Sequence, residues 1–359
     1  MKKCVSCNSK SISQRVFNFN FVDHKNYNKL FNKVIFHRCK LCGIIVSSKK
    51  NFLKKFYKNF FNKSYLEARS KTLVPKFKNI PIFKHFIKNE IHNRKNLKML
   101  DFGNPSIEAI KETTNYFQNS KIIAYDVSRK KEFKYFNMKT KTSALFTNDI
   151  KNIYEKYDII LIFNVLQYIL NLKSFFKLIK KITYKKSKIY TITPSINKNP
   201  FFLLLGDEYL KFTDIALKNL FEINLKKKTK ILKRQYVSNK SFIITNFNSD
   251  QFKTIKDDSD ILKKTHDVLF NIKKKANNLN FKKVFIFGTR INSIFINDFV
   301  KNVKGFVDDQ KNYFKKKKVF YLKNKVDKSI DIILPYKGTK GLFFKKLLIR
   351  KKFKKIYQI

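Results

Sequence analysis

The chain has 359 residues, of which 43% are hydrophobic, and it carries a formal net charge of +55. This length and apolar content predict more than one unit with a buried core. Only eight of the 80 basic residues are arginine, whereas arginine is the side chain best suited to reading phosphates and base edges. The charge therefore indicates a lysine-rich solvated surface, and no specific nucleic acid is expected as a partner.

The hydropathy pattern argues against a transmembrane segment and against a signal peptide. The longest apolar stretch, residues 159–170, is interrupted by Asn164 and Gln167 and is shorter than the roughly 20 residues that cross a bilayer. The residues after Met1 are polar, unlike the apolar segment of a signal peptide. The sequence thus predicts a cytoplasmic protein without a transmembrane segment and with reduced thiols. It gives no indication of the oligomeric state.

All four cysteines lie near the N-terminus in two CxxC pairs, Cys4 with Cys7 and Cys39 with Cys42. Two such pairs can complete a tetrahedral thiolate site that is closed to substrate, which predicts a structural zinc ion. Two disulfides are the alternative, but a reducing compartment disfavours them, and a redox pair would need only one CxxC. His37 is expected to be a bystander because four thiolates already satisfy zinc.

Short apolar runs alternate with helical patterns after this region. Residues 51–70 are helix-prone, and Pro75 and Pro81 mark a linker to a helix predicted over 82–93. The order that follows is strand, helix, strand, strand, helix, strand, at residues 97–102, 106–117, 122–126, 157–163, 172–182 and 189–193. Such alternation predicts a Rossmann-like doubly wound parallel sheet.

Two of the predicted strands end in an acidic residue, in Leu100-Asp101-Phe102-Gly103 and in Tyr125-Asp126. Ligands of parallel sheets bind beyond the carboxyl ends of the strands. A carboxylate there can accept two hydroxyl hydrogen bonds, and a glycine lets the backbone approach a ligand. The pattern predicts a nucleoside cofactor site. Loop capping in a sheet that binds nothing is the alternative.

These runs and the stretch from Tyr157 to Ile169 resemble class I S-adenosylmethionine-dependent methyltransferases in order and spacing. The resemblance implies a role in cofactor binding for six residues. The methionine part would be framed by Asp101 and Gly103, the ribose held by Asp126, the adenine bordered by Asn148 and Asp149, and the methyl-transfer face lined by Asn164.

Three C-terminal runs, at residues 283–289, 303–309 and 330–335, indicate a further small α/β domain. Together with the cysteine-rich module and the methyltransferase core, this order resembles the zinc-containing C-methyltransferases of nucleotide-linked sugars. The resemblance implies three domains, at 1–60, 61–255 and 256–359, the last opening with a linker helix. It implies S-adenosylmethionine and structural Zn²⁺ as cofactors and a sugar or nucleotide-linked sugar as substrate, in the biosynthesis of cell-surface polysaccharide or a related glycan.

The loop after the first strand departs from that family's pattern. Pro105 and Ile107 stand where the family has glycines after Gly103. Proline has a fixed φ and no amide hydrogen, and isoleucine is strained at positive φ. Cofactor binding could therefore be weakened or lost.

The segment that supplies a histidine base in the family also differs, since this chain has Asp207, Glu208 and Tyr209 there, ahead of a helix whose expected cap is Thr213. A tyrosine with a pKa near 10 is a poor base. Three interpretations stay open: Asp207 or Glu208 is the base, the reaction is O-methylation, or the chemistry is lost. The alternatives to a methyltransferase are a catalytically degenerate scaffold and a zinc-ribbon nucleic-acid-binding protein.

The final segment, residues 342–355, alternates apolar and basic residues at helical spacing. Such a pattern is found in helices that touch a membrane or an anionic partner, and in docked terminal helices with a cationic outer face. The second interpretation is the commoner one.

Overall fold

A computed structural model describes residues 3–24, 26–63, 86–91, 95–103, 107–127, 132–234, 240–247, 258–279, 283–308, 318–324 and 326–359. The side chains at 60–63, 87–88, 107–109 and 338–340 lie outside this description. So do Pro75, Pro81 and Pro105, and with them the predicted linker and the loop after the first strand.

The chain forms two compact units. The first contains residues 1–15, 35–199 and 208–259, and the second contains 16–34, 200–207 and 260–359. The division into three domains at 1–60, 61–255 and 256–359 stays a prediction. None of the described helices is long and apolar enough to span a bilayer.

The cysteine-rich region folds into short strands followed by one helix. These elements are β1 Ile12–Phe17, β2 Phe21–Val22, β3 Lys29–Phe31, β4 Val34–Cys39, β5 Ile45–Ser47 and α1 Lys50–Lys63. The α1 helix agrees with the helix-prone connector predicted from residue 51. Strands β2 and β3 form a two-stranded sheet, whereas β1, β4 and β5 join a larger sheet.

The strands and helices that follow include the six elements that the sequence predicts, together with further strands. In chain order they are β6 Lys98–Phe102, α2 Ile107–Thr113, β7 Lys121–Tyr125, β8 Phe133–Asn137, β9 Thr142–Thr147, β10 Ile159–Phe163, α3 Leu172–Lys181, β11 Lys188–Pro194, β12 Leu210–Lys211, α4 Asp214–Leu225, β13 Thr229–Ile231 and β14 Lys240–Asn246. Single helical turns lie at Ile87–Ile91, Thr114–Tyr116, Ile150–Ile153, Leu166–Tyr168 and Pro200–Leu204.

Eight of these strands form one sheet in the order β13-β14-β11-β10-β6-β7-β9-β8. The five central strands β11, β10, β6, β7 and β9 are parallel, whereas β8 and β14 run antiparallel to their neighbours. In chain order the parallel strands are added on one side of β6, as β7 and β9, and then on its other side, as β10 and β11. The strand order thus reverses between β6 and β10, which is the point where open sheets of this kind bind ligands.

Both faces of this sheet are covered, which explains the continuous apolar runs. Ile159, Ile160, Leu161 and Ile162 of β10 are fully buried. Ile160 and Ile162 pack in the core that contains the aromatic side chains of α3, and Ile159 and Leu161 pack in a second core on the opposite face. Each such side chain contributes about 1.5–3 kcal/mol of burial free energy. The predicted mixed α/β architecture with a large central sheet is confirmed.

Several contacts within the first unit attach the cysteine-rich region to β12, to the start of α4 and to Asp258. Strand β12 pairs with β5, which extends the sheet β1-β4-β5-β12. The buried guanidinium of Arg38 donates to Asp258, whose carboxylate also accepts from the Thr213 hydroxyl. Thr213 caps α4 by accepting from the amide of Ala216 at 3.0 Å, as predicted. These contacts make the N-terminal module part of the core rather than an appendage.

The second unit contains a five-stranded parallel sheet in the order β17-β16-β15-β18-β19. Its elements are α5 Ile261–Asn277, β15 Val284–Phe287, α6 Ile291–Asn297, β16 Val303–Asp308, β17 Val319–Tyr321, β18 Asp331–Leu334, α7 Gly338–Arg350 and β19 Ile356–Gln358. The strands predicted at 283–289, 303–309 and 330–335 are present. The identity of this unit as the final domain of a sugar methyltransferase stays a prediction.

Candidate functional site

The four cysteines converge into one cluster. The Sγ atoms of Cys4 and Cys42 are 3.6 Å apart, those of Cys7 and Cys39 are 3.5 Å apart, and all four lie within 4.8 Å of one another. Two backbone amides, of Ser6 and Cys42, donate to the sulfurs of Cys4 and Cys39. All four are free cysteines rather than disulfides, so the geometry agrees with the predicted metal site.

The donor set fits a tetrahedral zinc ion. Four sulfurs around zinc at about 2.3 Å would be separated by about 3.8 Å, close to the observed spacing. Hydrogen bonds from the other thiols lower the pKa of Cys39 and raise that of Cys42. Four thiolates at this spacing repel one another unless a cation lies between them. In the described part of the chain His37 is not among the clustered ligands, consistent with its expected bystander role.

The predicted cofactor residues lie along one edge of the main sheet. Phe102 of β6 pairs with Tyr125 of β7, which in turn pairs with Thr147 of β9. Because the strands are parallel, the residues that follow them, namely Gly103, Asp126 and Asn148, are level with one another. Asn164 follows β10, the neighbour of β6. These residues therefore follow one another along a single edge, with Gly103 and Asn164 on the two sides of the reversal point between β6 and β10.

Gly103 is required at its position by both backbone and packing. Its φ is +88°, and an added Cβ would lie 2.0 Å from Cγ2 of Val165. The residue thus has a conformation that favours glycine, and Val165 covers the space that a side chain would need. Asn104 and Pro105 lie outside the described residues, and Ile107 begins α2, so the predicted crowding of this loop stays a prediction.

The two strand-end acids differ in environment. Asp101 is 1% exposed within β6, whereas Asp126 is 8% exposed just beyond β7. Burial raises the pKa of Tyr125, and the negative charges of Asp126 and Asp149 raise it further. Asp126 and Asp149 therefore both lie near the phenol of Tyr125. Asp149 also caps a helical turn through the amide of Lys151 at 2.8 Å.

Asn164 is held in place by a polar network that the sequence analysis did not identify. It adopts φ +57°, and its side-chain oxygen accepts from Nζ of Lys240 at 2.9 Å. Its backbone carbonyl accepts from Nε2 of Gln167 at 3.0 Å, and Oε1 of Gln167 accepts from the hydroxyl of Thr193 at 3.1 Å. Asparagine is one of the residues that most readily adopt this left-handed conformation, and the buried Gln167 fixes the backbone on which Asn164 lies.

The segment predicted to be catalytic adjoins this network through its backbone. The amide of Tyr209 donates to the carbonyl of Gln167 at 2.9 Å. Glu208, which is 2% exposed, forms an ion pair with Nζ of Lys211 at 2.7 Å. A carboxylate held by a buried ammonium does not readily accept a proton, because the pair would be left with an uncompensated charge. The pairing argues against Glu208 as the base.

Tyr209 is a packing residue by its surroundings. Its side chain is 2% exposed and lies in the core cluster that includes Cys4 and Cys42. Burial, together with the smaller effect of the nearby charge of Cys4, raises the pKa of Tyr209 to about 12. A phenol of this kind is protonated near neutral pH. Asp207 belongs to the second unit, where its buried carboxylate hydrogen-bonds Nδ1 of His24. The roles predicted for these three residues stay predictions.

No protein-family model matches this sequence, and no curated protein matches it. Solved methyltransferase structures are similar to parts of it. A candidate O-methyltransferase of Nostoc punctiforme PCC 73102 is 12% identical over 46% of this chain and 54% of its own, with a TM-score of 0.33. The plantazolicin methyltransferase BamL, solved with SAH, is 14% identical over 56% of this chain and 96% of its own, at 0.38. Human N-acetylserotonin methyltransferase, solved with SAM, is 14% identical over 42% and 47%, at 0.33.

The chain spans about half the length of the first of these structures and of the human enzyme. At these identities and TM-scores the likeness does not determine the activity of this chain.

The cysteine cluster gives a testable prediction about metal content. Cys39→Ser should lose the bound zinc and lower the melting temperature by several degrees or prevent folding, because it removes one of four ligands. His37→Ala should keep one zinc per chain, since His37 is not in the cluster. Atomic emission and thermal unfolding measure both effects. Retention of a full equivalent of zinc by Cys39→Ser would contradict the assignment.

The buried ion pair predicts an asymmetric response to mutation. Lys211→Met should cost about 3 kcal/mol of unfolding free energy, because the buried carboxylate of Glu208 then loses the ammonium that compensates its charge. The double variant Glu208→Gln with Lys211→Met should recover most of this loss. Urea denaturation at neutral pH measures both. A loss in the single variant that the second substitution does not reduce would show that the pair is not the source of the cost.

Proposed function

We propose that this protein is an S-adenosylmethionine-dependent methyltransferase that acts on a sugar or nucleotide-linked sugar. The observation that supports the proposal most is the alignment of Gly103, Asp126 and Asn148 at one edge of a doubly wound sheet, next to its reversal point. This edge is where open α/β sheets bind nucleotides. The resemblance of the motifs to class I methyltransferases supplies the identity of the nucleoside.

The proposed cofactor contacts follow the chemistry of each group. The carboxylate of Asp126 would accept hydrogen bonds from the two ribose hydroxyls. Asn148 and Asp149, both exposed after β9, would border the adenine. Gly103 and Asp101 would frame the methionine part, with Gly103 allowing backbone approach. Asn164 would face the methyl group, which the cofactor supplies as an electrophile.

Charge near Asn164 suits an anionic acceptor. Lys240 donates to the side chain of Asn164, and Nζ of Lys198 donates to the backbone carbonyl of Lys240 at 2.8 Å. Lys198 is partly neutralised by Asp214 at 3.2 Å. A nucleotide-linked sugar carries a pyrophosphate that such ammonium groups attract. Glu208 is occupied by Lys211, and Tyr209 is protonated, so neither of them suits the role of base in the proposed reaction.

A catalytically degenerate scaffold is the second candidate, and one observation favours it. The methyl groups of Val165 fill the space beside Gly103, at the edge where the cofactor would lie. A scaffold of this kind would keep the fold, the metal site and the sheet edge without binding the nucleoside.

The proposal predicts that the chain binds S-adenosylhomocysteine and that Asp126→Asn weakens this binding about tenfold or more, since charge-assisted hydrogen bonds are lost. Glu155→Gln is a matched control. Glu155 pairs with Lys98 and Lys121 at the opposite, amino edge of the same sheet, at 3.2 and 2.7 Å. This variant should bind as the parent does.

Isothermal titration calorimetry measures all three proteins, with circular dichroism to verify folding. Folded parent protein that gives no heat at millimolar ligand would refute the methyltransferase proposal and support the scaffold. Equal weakening by both substitutions would show that Asp126 has no specific role.

A further inference from the structure

The C-terminal helix α7 packs on the second unit's sheet with only one of its faces. Leu348 is fully buried, and Phe344 and Leu347 pack against the same core. The Phe344 ring lies 4.8 Å from the ring of Phe287 and 5.5 Å from that of Tyr336. This face accounts for the docking of the helix, as the commoner interpretation of the sequence expects.

The other sides of α7 expose large apolar side chains, of which Phe343 also contacts Phe344 with 5.3 Å between the ring centroids. Leu342 is 58% exposed, Phe343 63% and Ile349 57%. Leu342 and Ile349 are two helical turns apart and therefore lie on the same side of the helix. Three of the most exposed large apolar side chains of the described chain thus lie on one short helix.

Exposed cations surround these apolar side chains. Lys345, Lys346 and Arg350 are exposed on the same helix, and Lys352, Lys354 and Lys355 are exposed just after it. The sequence contains no acidic residue from Ile332 to its end at Ile359. Exposed apolar side chains interleaved with exposed cations form what we name the α7 surface, defined by Leu342, Phe343, Lys345, Lys346, Ile349 and Arg350.

We propose that the α7 surface docks the protein on a bilayer of anionic phospholipid. An interfacial helix inserts its apolar side chains to about the depth of the headgroup boundary, while its lysines and arginines contact anionic headgroups. Both halves of this recognition are present on α7. The proposal is independent of the methyltransferase activity.

Two other occupants fit the surface less well. A second copy of the chain would bring Lys345, Lys346 and Arg350 against the same residues of its partner in a twofold interface, with no acid on the helix to offset them. A nucleic acid would pair with the cations but would leave Leu342 and Ile349 in water, because phosphates and sugars offer no apolar surface to bury them.

Co-sedimentation of the full chain with vesicles tests the proposal. Vesicles of phosphatidylglycerol should bind the parent protein, and vesicles of phosphatidylcholine should not. The triple variant Leu342→Ser, Phe343→Ser, Ile349→Ser should weaken binding about tenfold or more, because its insertion is lost. Lys345→Gln with Lys346→Gln should weaken it by about fivefold per lysine.

Matched controls separate the contribution of the α7 surface to vesicle binding from that of the protein's general charge and hydrophobicity. Phe136→Ser with Met138→Ser removes two apolar side chains that are 52% and 80% exposed at the edge strand β8. Lys185→Gln with Lys186→Gln removes two exposed charges from the turn after α3. Both controls should bind vesicles as the parent does. All substituted positions are exposed, so the variants are expected to fold, and circular dichroism verifies this.

The proposal is overturned by any of three results. One is the absence of binding to phosphatidylglycerol vesicles. Another is binding that the α7 variants and the controls weaken equally, which would assign it to the net charge alone. The third is a parent dimer that the triple serine variant converts to monomer, without vesicle binding, which would assign the surface to a second copy.

Discussion

Burial of the central parallel strands on both faces is the constraint on which the main unit depends. A strand such as β10, with side chains fully buried on either side, leaves no room for polar groups along its length. Chemistry can then be placed only where the strands end. The parallel register brings those ends level, so residues distant in sequence become neighbours at a single edge. The same constraint produces the apolar core and the candidate site.

This constraint also explains which parts of the fold could be predicted from the sequence. Doubly buried strands such as β6, β7, β10 and β11 are continuous apolar runs, and they were predicted to within two residues. The strands β8, β9, β13 and β14 were not predicted, because polar residues interrupt their apolar pattern. Lys134 in β8 and Lys230 in β13 are exposed within their strands. A half-buried strand in a lysine-rich chain carries a weak signal.

The candidate site likewise has residues that could be predicted from the sequence and residues that could not. Residues of compact local motifs, such as the CxxC pairs and the strand-end acids, could be found from spacing alone. Lys240 could not, since it reaches Asn164 across 76 residues of chain, and neither could the pairing of His24 with Asp207 across 183 residues. The sequence marked Glu208 as a base but carried no sign that Lys211 would be buried against it. Lys211 is only three residues from Glu208, but the burial of this pair depends on tertiary packing.

The pairing of β5 with β12 connects the metal module to the segment that contains Glu208 and Tyr209. Val46 of β5, which comes only a few residues after Cys42, lies beside Leu210 of β12. Oxidation of the cysteines to disulfides would remove the ligands of the proposed cation and distort this shared sheet from within. Cys4, Cys39 and Cys42 also pack in the core cluster that contains Ile160 and Ile162 of β10. The distortion would therefore reach the central strands as well as the segment leading to α4.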